Sequence, residues 1–433
     1  MDMTRKIMGI RYGHDASVAL IVDGKIVANV AEERFTRFKN DGSFPINAIE
    51  YCLQTAGISS EELDAIVLPS KGYLPAPLFA FFDIPKETVP LKARGDVPVL
   101  PIYFKPWKVS KNCKVLTVEH HLAHAASAYY TSGLKLDERA LVVTMDGRGD
   151  DISVSVWRGE NNQLKALRQW DGSASMGWFY ANATEALGWR HGSDEWKTMG
   201  LAPYGKPQPG ALKGYHPEFE NGELVKGRNY GGATRWLDHG TNHYHMQDSI
   251  PLSKIAEKLG REDYSAEVQR VSEEQAEKLI LPWLERENTR HFCAAGGFFL
   301  NVKFNQKLWY TGKLDTQWTY PDTGDAGLAV GAALYTYYQA HPEQQAEKLQ
   351  HMYYGPEFSA AEIEAVLKER KLEYEKPANV SEAAAKYLAE NKIIAWFQGR
   401  MEAGPRALGN RSILMSPLRP ENKDLINACV KYR

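Results

Sequence analysis

Cysteine is scarce in this chain, and the four that occur, at positions 52, 113, 293 and 429, never form a CxxC pair. That spacing argues against a disulfide framework and against a cysteine-rich zinc site. An excess of charge is missing too: 52 Lys and Arg stand against 54 Asp and Glu, a formal net charge of −2. A chain so balanced projects no field suited to nucleic acid or to an anionic membrane surface, so its partners are expected to be small molecules. No window approaches about eighteen apolar residues, and the opening MDMTRKIMGIRYG has no apolar segment of signal-peptide type. Secretion and membrane spanning are therefore not expected, and a reducing, cytoplasmic setting is. What is present is 433 residues, 43% of them hydrophobic, enough for two to three domains with sizeable cores.

The stretch richest in chemistry is Val118 to Gly149, VEHHLAHAASAYYTSGLKLDERALVVTMDGRG. If Ala123 to Tyr130 continues a helix from His120, then His120 and His124 stand at i and i+4 on one face, where two imidazoles can hold one divalent ion. His121 points elsewhere on such a helix and suits a supporting role better than a ligand's. The apolar, β-branched run Arg139 to Met145 reads as a buried strand that delivers Asp146 and Gly147 at its end, where α/β sheets place ligands. A second carboxylate stands far down the chain at Asp325, in TGDAGLAVGAAL, where another loop opens an apolar helix. Two imidazoles and two carboxylates suit iron, manganese or zinc better than calcium. The spacing is equally that of two satisfied histidines on a half-buried helix, and by itself it does not separate the two readings.

Taken in order, Lys6 to Gly13 and Ala16 to Val22 read as strands joined at His14 and Asp15, Asp23-Gly24 as a hairpin turn, and Lys25 to Ala31 as a third strand. A helix over Asn47 to Ala56 ends at Gly57, and Ala65 to Leu68 forms a strand. The grammar returns at Arg139: a strand ending in MDGRGDD, a partner over Ile152 to Arg158, a turn at Glu160-Asn161-Asn162, a strand over Leu164 to Gln169, then a helix over Ala181 to Leu187. Two hairpin-first α/β units, each with an Asp-bearing loop between its first strands, suggest the duplicated actin-like architecture, in which both loops close on nucleotide phosphate. Pro203 to Gln247 loses periodicity and reads as an irregular lid or substrate-shaping insertion. Its histidines 239, 243 and 245 lack a carboxylate or cysteine frame with ligand spacing, so a metal there is not expected.

A helix over Glu267 to Arg286 and a strand over His291 to Ala295 lead into AAGGFFLN, where Gly296-Gly297 lets backbone approach an adenosine or phosphate. The helix Ala326 to Ala340 opens at Thr323-Gly324-Asp325, a terminus suited to an anion or a metal-bound phosphate. Composition turns polar near His341 to Gly355, a domain boundary. Beyond it, helices over Ala360 to Lys371 and Ser381 to Asn391, with Ser381 as cap, precede a strand over Ile393 to Phe397. There follows GRMEAGPRALGNRS, where Arg400, Arg406 and Arg411 on a glycine-bearing loop suit a small oxyanion.

Eight motifs together make the chain similar to the NodU/CmcH-type O-carbamoyltransferases: HDAS at 14–17, EERFTRFK at 32–39, HHLAHA at 120–125, DGRGD at 146–150, EWKTMGLAPYG at 195–205, AGGFFLN at 295–301, TGDAGLAVGAA at 323–333 and GPRALGNRS at 404–412. The resemblance implies an α/β chain: a duplicated actin-like (ASKHA, RNase H-like) domain over 1–345, then a YrdC-like α/β domain over 355–433, cut short because family members continue beyond Arg433. It implies a divalent metal, Fe2+ by expectation with Mn2+ or Zn2+ as alternatives, held by His120, His124, Asp146 and Asp325. ATP and carbamoyl phosphate would be substrates, with Mg2+ able to accompany the ATP, giving carbamoyl-adenylate and then a carbamoylated hydroxyl on a small-molecule natural product or sugar. Nucleotide contacts are assigned to Gly147, Gly149, Asp150, Gly296, Gly297, Asn301 and Gly324. Carbamoyl phosphate contacts are assigned to Arg406, Lys431 and Arg433.

His14 is the candidate base for the acceptor hydroxyl, since imidazole matches neutral pH, and Lys39 is a candidate contact for an anionic intermediate. A homodimer is compatible with the sequence. Two other readings remain open: an actin-like kinase or ATPase, in which Asp146 serves phosphate without iron, and a nucleotide-binding module left inactive by the incomplete second domain.

Overall fold

Two five-stranded sheets repeat one plan, and the residues that make them do so for the same local reasons each time. The computed structural model describes residues 5–84, 93–94, 106–230, 232–238 and 241–431, with backbone alone at 93–94, 232–238, 241–245 and 431. The chain divides into two units, Met1–Gln350 and His351–Arg433.

In the first sheet β1 (Lys6–Arg11), β2 (Ser17–Val22) and β3 (Lys25–Ala31) form an antiparallel meander. The β2–β3 turn is made by Asp23 at φ 50° and Gly24 at φ 77°, the left-handed pair that a two-residue hairpin demands. α1 (Ile46–Ala56) buries Ala48, Ile49, Cys52 and Leu53 and stops at the left-handed Gly57, as the sequence anticipates. β4 (Ala65–Pro69) and β5 (Lys114–Val118) add parallel strands, completing the order β3-β2-β1-β4-β5. α2 (His120–Tyr129) follows immediately.

The second sheet restates this. β6 (Ala140–Gly149), β7 (Ile152–Glu160) and β8 (Gln163–Asp171) form the meander, with Asn161 and Asn162 at φ 52° and 56° in the second turn. After α3 (Met176–Ala186) and the long α4 (Arg261–Glu287), the parallel strands β9 (His291–Ala295) and, past α5 (Val302–Trp309), β10 (Thr316–Thr319) give the order β8-β7-β6-β9-β10. The duplication expected of the first unit is therefore present, with the parallel strands Lys114–Val118 and Thr316–Thr319 added to those the sequence marks.

Each sheet has its own core. Met8, Ile10, Val18, Leu20 and Ile66 pack with α1 in one, and Leu141, Val143, Met145, Val154 and Phe292 pack with α3 and α4 in the other. Full burial of each such side chain contributes about 1.5–3 kcal/mol. The last helix of the first unit, α6 (Leu328–Ala340), lies on the first sheet, and α2 lies on the second while packing against α6. Gly9 makes the first contact close, since a Cβ there would lie 2.0 Å from the Ala329 carbonyl oxygen.

Two expectations are corrected. The stretch 203–247 is not irregular throughout: Glu218–Glu220 pairs with Glu223–Lys226, and Gly232–Asp238 with Thr241–Met246. The first hairpin turns on Asn221-Gly222, both at positive φ, a short turn signal that the search for periodicity passes over. In the second unit, α7 (Ala360–Glu369) and α8 (Val380–Ala389) precede a hairpin of β11 (Ile394–Phe397) and β12 (Arg411–Leu414). Asn379, not Ser381, caps α8, because its side chain reaches the Glu382 N–H while Ser381 already lies in the first turn. Neither α7 nor α8 buries a residue, and Val366, Val380 and Leu372 are each at least half exposed. Among the described residues no helix is long and apolar enough to cross a membrane.

Candidate metal centre

The site is built where three chain segments end. α2 begins at His120, and its first turn is fixed from two sides: Glu119 accepts from the N–H groups of His121 and Leu122, and Asp150 accepts from the His120 N–H at 2.9 Å. The helix then carries His120 and His124 one turn apart on one face, both buried. β6 runs through the second core in register with β9 as far as Thr144, and its pairing with β7 shifts between Met145 and Gly149. That irregularity swings Asp146 to Arg148 out of the ladder at the sheet's end. Ser175, the cap of α3, ties this turn down with its hydroxyl 2.7 Å from the Gly147 carbonyl and 3.0 Å from that of Asp146. Asp325 opens the single turn Asp325–Gly327 that leads into α6.

These segments bring four side chains together. His120 Nε2 lies 3.3 Å from Asp146 Oδ2 and 3.7 Å from Asp325 Oδ1. His124 Nε2 lies 3.4 Å and 3.6 Å from the same two oxygens. One ligand atom from each residue falls within 4.8 Å of all the others. Both ring nitrogens of His124 are fully buried without a hydrogen-bond partner. A buried polar atom left unmet is costly, and here the unmet atom faces two carboxylates. This is the environment a divalent ion would satisfy, and the donor set of two imidazoles and two carboxylates fits iron, manganese or zinc.

The outer oxygens of the two carboxylates are held by different partners. Asp146 Oδ1 accepts from the Gly297 N–H at 3.2 Å. Asp325 Oδ2 accepts from Arg11 Nη2 at 2.6 Å. Burial opposes ionisation of Asp146, but the imidazoles of His120 and His124 facing it at 3.3 and 3.4 Å hold it well below the usual carboxylate range. For Asp325 burial is likewise outweighed, here by Arg11 and His120. Burial also works against a charged His124, yet the pull of Asp146 and Asp325 prevails and raises it to about 9. His121 is a different case. Its Nδ1 meets the Thr144 hydroxyl at 2.8 Å and its Nε2 the Ile152 carbonyl at 3.0 Å, and burial, followed by the charges of His120 and His124, pushes it down to about 3. It is a neutral imidazole that pins α2 to the second sheet.

The remaining residues singled out by sequence fall into distinct places. Gly149 lies under His120, where a Cβ would come 2.2 Å from the ring. Gly147 faces the Trp178 indole, and Gly296, at φ 102°, passes so close to Met145 that a Cβ would be 2.3 Å from its carbonyl oxygen. Gly297 supports Asp146, and Gly324 precedes Asp325 with open space around it. Asp150 is engaged in capping α2. Asn301 caps α5 and pairs through both amide atoms with Gln269 at 3.0 Å, so its side chain is committed inside the fold. His14 contacts Asp15 at 3.4 Å, is 39% exposed, and its charge acts on the carboxyl of Glu195, which burial raises. Lys39 is exposed.

In the second unit Arg400 donates to the Tyr354 and Gly355 carbonyls, and Arg411 is bonded to Glu402 and to the Gly404 and Arg406 carbonyls. The expected cluster of three oxyanion-binding guanidiniums is therefore reduced. Two of them brace the loop, and Arg406 is the exposed one. Arg433 and the side chain of Lys431 lie outside the described residues. So do His239 and the side chains of His243 and His245.

Sequence reasoning passed over Arg11 and Ser175. Arg11 gave a signal, a charge closing the otherwise apolar end of KIMGIR. Ser175 gave the ordinary one of a cap before a helix.

Residues 6–74 and 96–334 match the family model described as the carbamoyltransferase N-terminus, and residues 385–433 match the one described as the carbamoyltransferase C-terminus. An uncharacterized protein of Synechocystis sp. is 34% identical over 99% of this chain and 74% of its own length. The nodulation protein NolNO of Sinorhizobium fredii is 32% identical over 97% of this chain and 61% of its own. The chain thus spans about three quarters of one of these relatives and less than two thirds of the other. Among solved structures, component A of (R)-2-hydroxyglutaryl-CoA dehydratase from Acidaminococcus fermentans covers 78% of this chain, and 99% of that one, at 15% identity with a TM-score of 0.46.

Proposed function

The chain belongs to the carbamoyltransferase family, and from that premise we propose that it moves a carbamoyl group from carbamoyl phosphate, through an ATP-derived carbamoyl-adenylate, to a hydroxyl of a small-molecule natural product or sugar. The observation that carries the reading is the convergence of His120, His124, Asp146 and Asp325, each from the end of a different stretch of rigid structure or from one helical face. In this reading they hold a divalent ion, iron(II) by expectation, with manganese or zinc compatible with the same donors. Such an ion supplies Lewis-acid polarisation of a carbonyl or phosphoryl oxygen.

The chain's own groups do the rest. The Gly297 N–H and Arg11 hold the two carboxylates in place, and Gly324, with open space around it, leaves room beside Asp325 for a nucleotide phosphate. With Asp146 and Asp325 balanced by a divalent ion, Arg11 leaves the site one unit positive, which favours an anionic donor. His14 takes the proton of the acceptor hydroxyl on a ring nitrogen as that oxygen attacks the carbamoyl carbon, and the bond from that carbon to the adenylate oxygen breaks to release AMP. Lys39 is assigned to the anionic intermediate. The second unit is read as YrdC-like, with Arg406, Lys431 and Arg433 assigned to carbamoyl phosphate, and the setting as cytoplasmic.

Incubation of the protein with carbamoyl phosphate, ATP and a panel of hydroxylated metabolites should yield a product heavier by one carbamoyl group. ATP turnover with no carbamoylated product, given an intact ion site, would favour a kinase or ATPase instead.

A further inference from the structure

The two carboxylates of the site divide their oxygens in the same way but lean on different parts of the fold. Asp146 presents Oδ2 to both imidazoles and gives Oδ1 to the Gly297 backbone. Asp325 presents Oδ1 to both imidazoles and gives Oδ2 to the Arg11 guanidinium. Gly297, Asp146, His120 and His124 all belong to the second sheet and the helix lying on it. Arg11 is the last residue of β1, and Asp325 introduces the helix that packs on that same first sheet. The Arg11–Asp325 pair is therefore the first lobe's hold on the site.

We infer that Arg11 is a positioning residue that fixes Asp325 as a one-oxygen ligand. The inference rests on the ion-binding reading above. Both side chains are sheltered, at 18% and 15% exposure, so solvent competes weakly for the contact. The Arg11 Nε is buried without any hydrogen-bond partner, so among the described residues the guanidinium is not held there by a network of its own. Its directed contact is Asp325, and a guanidinium donor fixes a carboxylate's orientation as well as its charge. With Oδ2 engaged, the carboxylate cannot turn both oxygens toward the imidazoles. Groups that orient a ligand in this way alter metal affinity by about 10–100-fold when removed.

The test uses Co2+ as probe on the full chain, because its visible absorption weakens as coordination number rises. Replacing Arg11→Met frees Oδ2, and the bound Co2+ should lose visible intensity. R11Q, polar but too short to carry an N–H to the place of Nη2, carries the same expectation should R11M not fold. R11K, able to reach Oδ2 again, should restore most of the wild-type spectrum. A merely structural role would shift the thermal midpoint of the metal-free protein and leave the Co2+ spectrum alone. If wild type and R11M or R11Q bind Co2+ with superimposable spectra, the positioning role is wrong while the ion site stands. If the wild-type chain takes up no Co2+, the ion-binding reading falls and this inference goes with it.

Discussion

Gly331 of α6 lies so close to Ala123 of α2 that a Cβ added to it would sit 1.8 Å from the Ala123 carbonyl oxygen. The two helices that carry Asp325's turn and the histidine pair therefore meet backbone to backbone. The distance between their ligands is set at this crossing. A single methyl group must push them apart, since a carbonyl oxygen in a helix has nowhere to move.

Gly331→Ala is expected to cost about 1–3 kcal/mol of stability, the range for an overpacked core. It should also weaken ion uptake, because the separation of His124 from Asp325 grows. Urea unfolding and a metal titration on the same sample check both. Unchanged affinity alongside reduced stability would show that the crossing does not set the ligand distance.

His124→Gln removes the imidazole that is buried between both carboxylates. A ligand that binds only the folded state stabilises it by mass action, about 2.7 kcal/mol at a hundred times Kd. Wild-type protein should gain that much with Zn2+ or Mn2+, and the variant should gain nothing at the same concentration. Dialysis against a chelator should return the wild type to its starting midpoint.

Replacement of His14 separates chemistry from ion binding. The residue contacts Asp15 and is not one of the four candidate ligands. His14→Asn should lower transfer from preformed carbamoyl-adenylate by about 10²–10⁴-fold, the usual worth of a general base, and leave ion uptake as in the wild type. Unchanged transfer would remove His14 from the reaction.

Much of this fold was legible because its signals are local. Asp23-Gly24, Asn161-Asn162 and Gly57 each demand a left-handed backbone, and each ends an element where the sequence places it. The meeting of His120 and His124 with residues 146 and 325 was legible because helix spacing and strand ends are regular. Arg11 was not, since its partner lies 314 positions away and no local rule joins them. Asn301 shows the opposite failure. The resemblance assigns it to the nucleotide, but only the packing of α4 reveals that Gln269 occupies both its donor and its acceptor. The arginines at 400 and 411 were misread for the same reason, since carbonyls of a folded loop compete for guanidinium as well as any phosphate does.

That loop supplies the last prediction. Glu402 is buried, and its Oε1 accepts from the N–H groups of Leu408 and Asn410 at 2.6 and 2.7 Å while its Oε2 meets Arg411 at 2.9 Å. Burial alone would raise this carboxyl, but those hydrogen bonds outweigh it and the group is lowered. A carboxylate lowered on folding gives stability that is fully present above its unfolded value of 4.5 and is lost as pH falls through the lower, folded one. Hydrogen exchange at Leu408 and Asn410, corrected for intrinsic rates, should therefore lose protection as pH drops from about 6 to about 3. In Glu402→Gln, which keeps an acceptor but no titrating charge, the pH dependence should flatten, with protection lower throughout. Glu402→Ala leaves Arg411 without its carboxylate and should cost the second unit about 3 kcal/mol. Protection that stays constant down to the lowest pH in the wild type would mean that the loop carrying Arg406 is held by something other than this carboxylate.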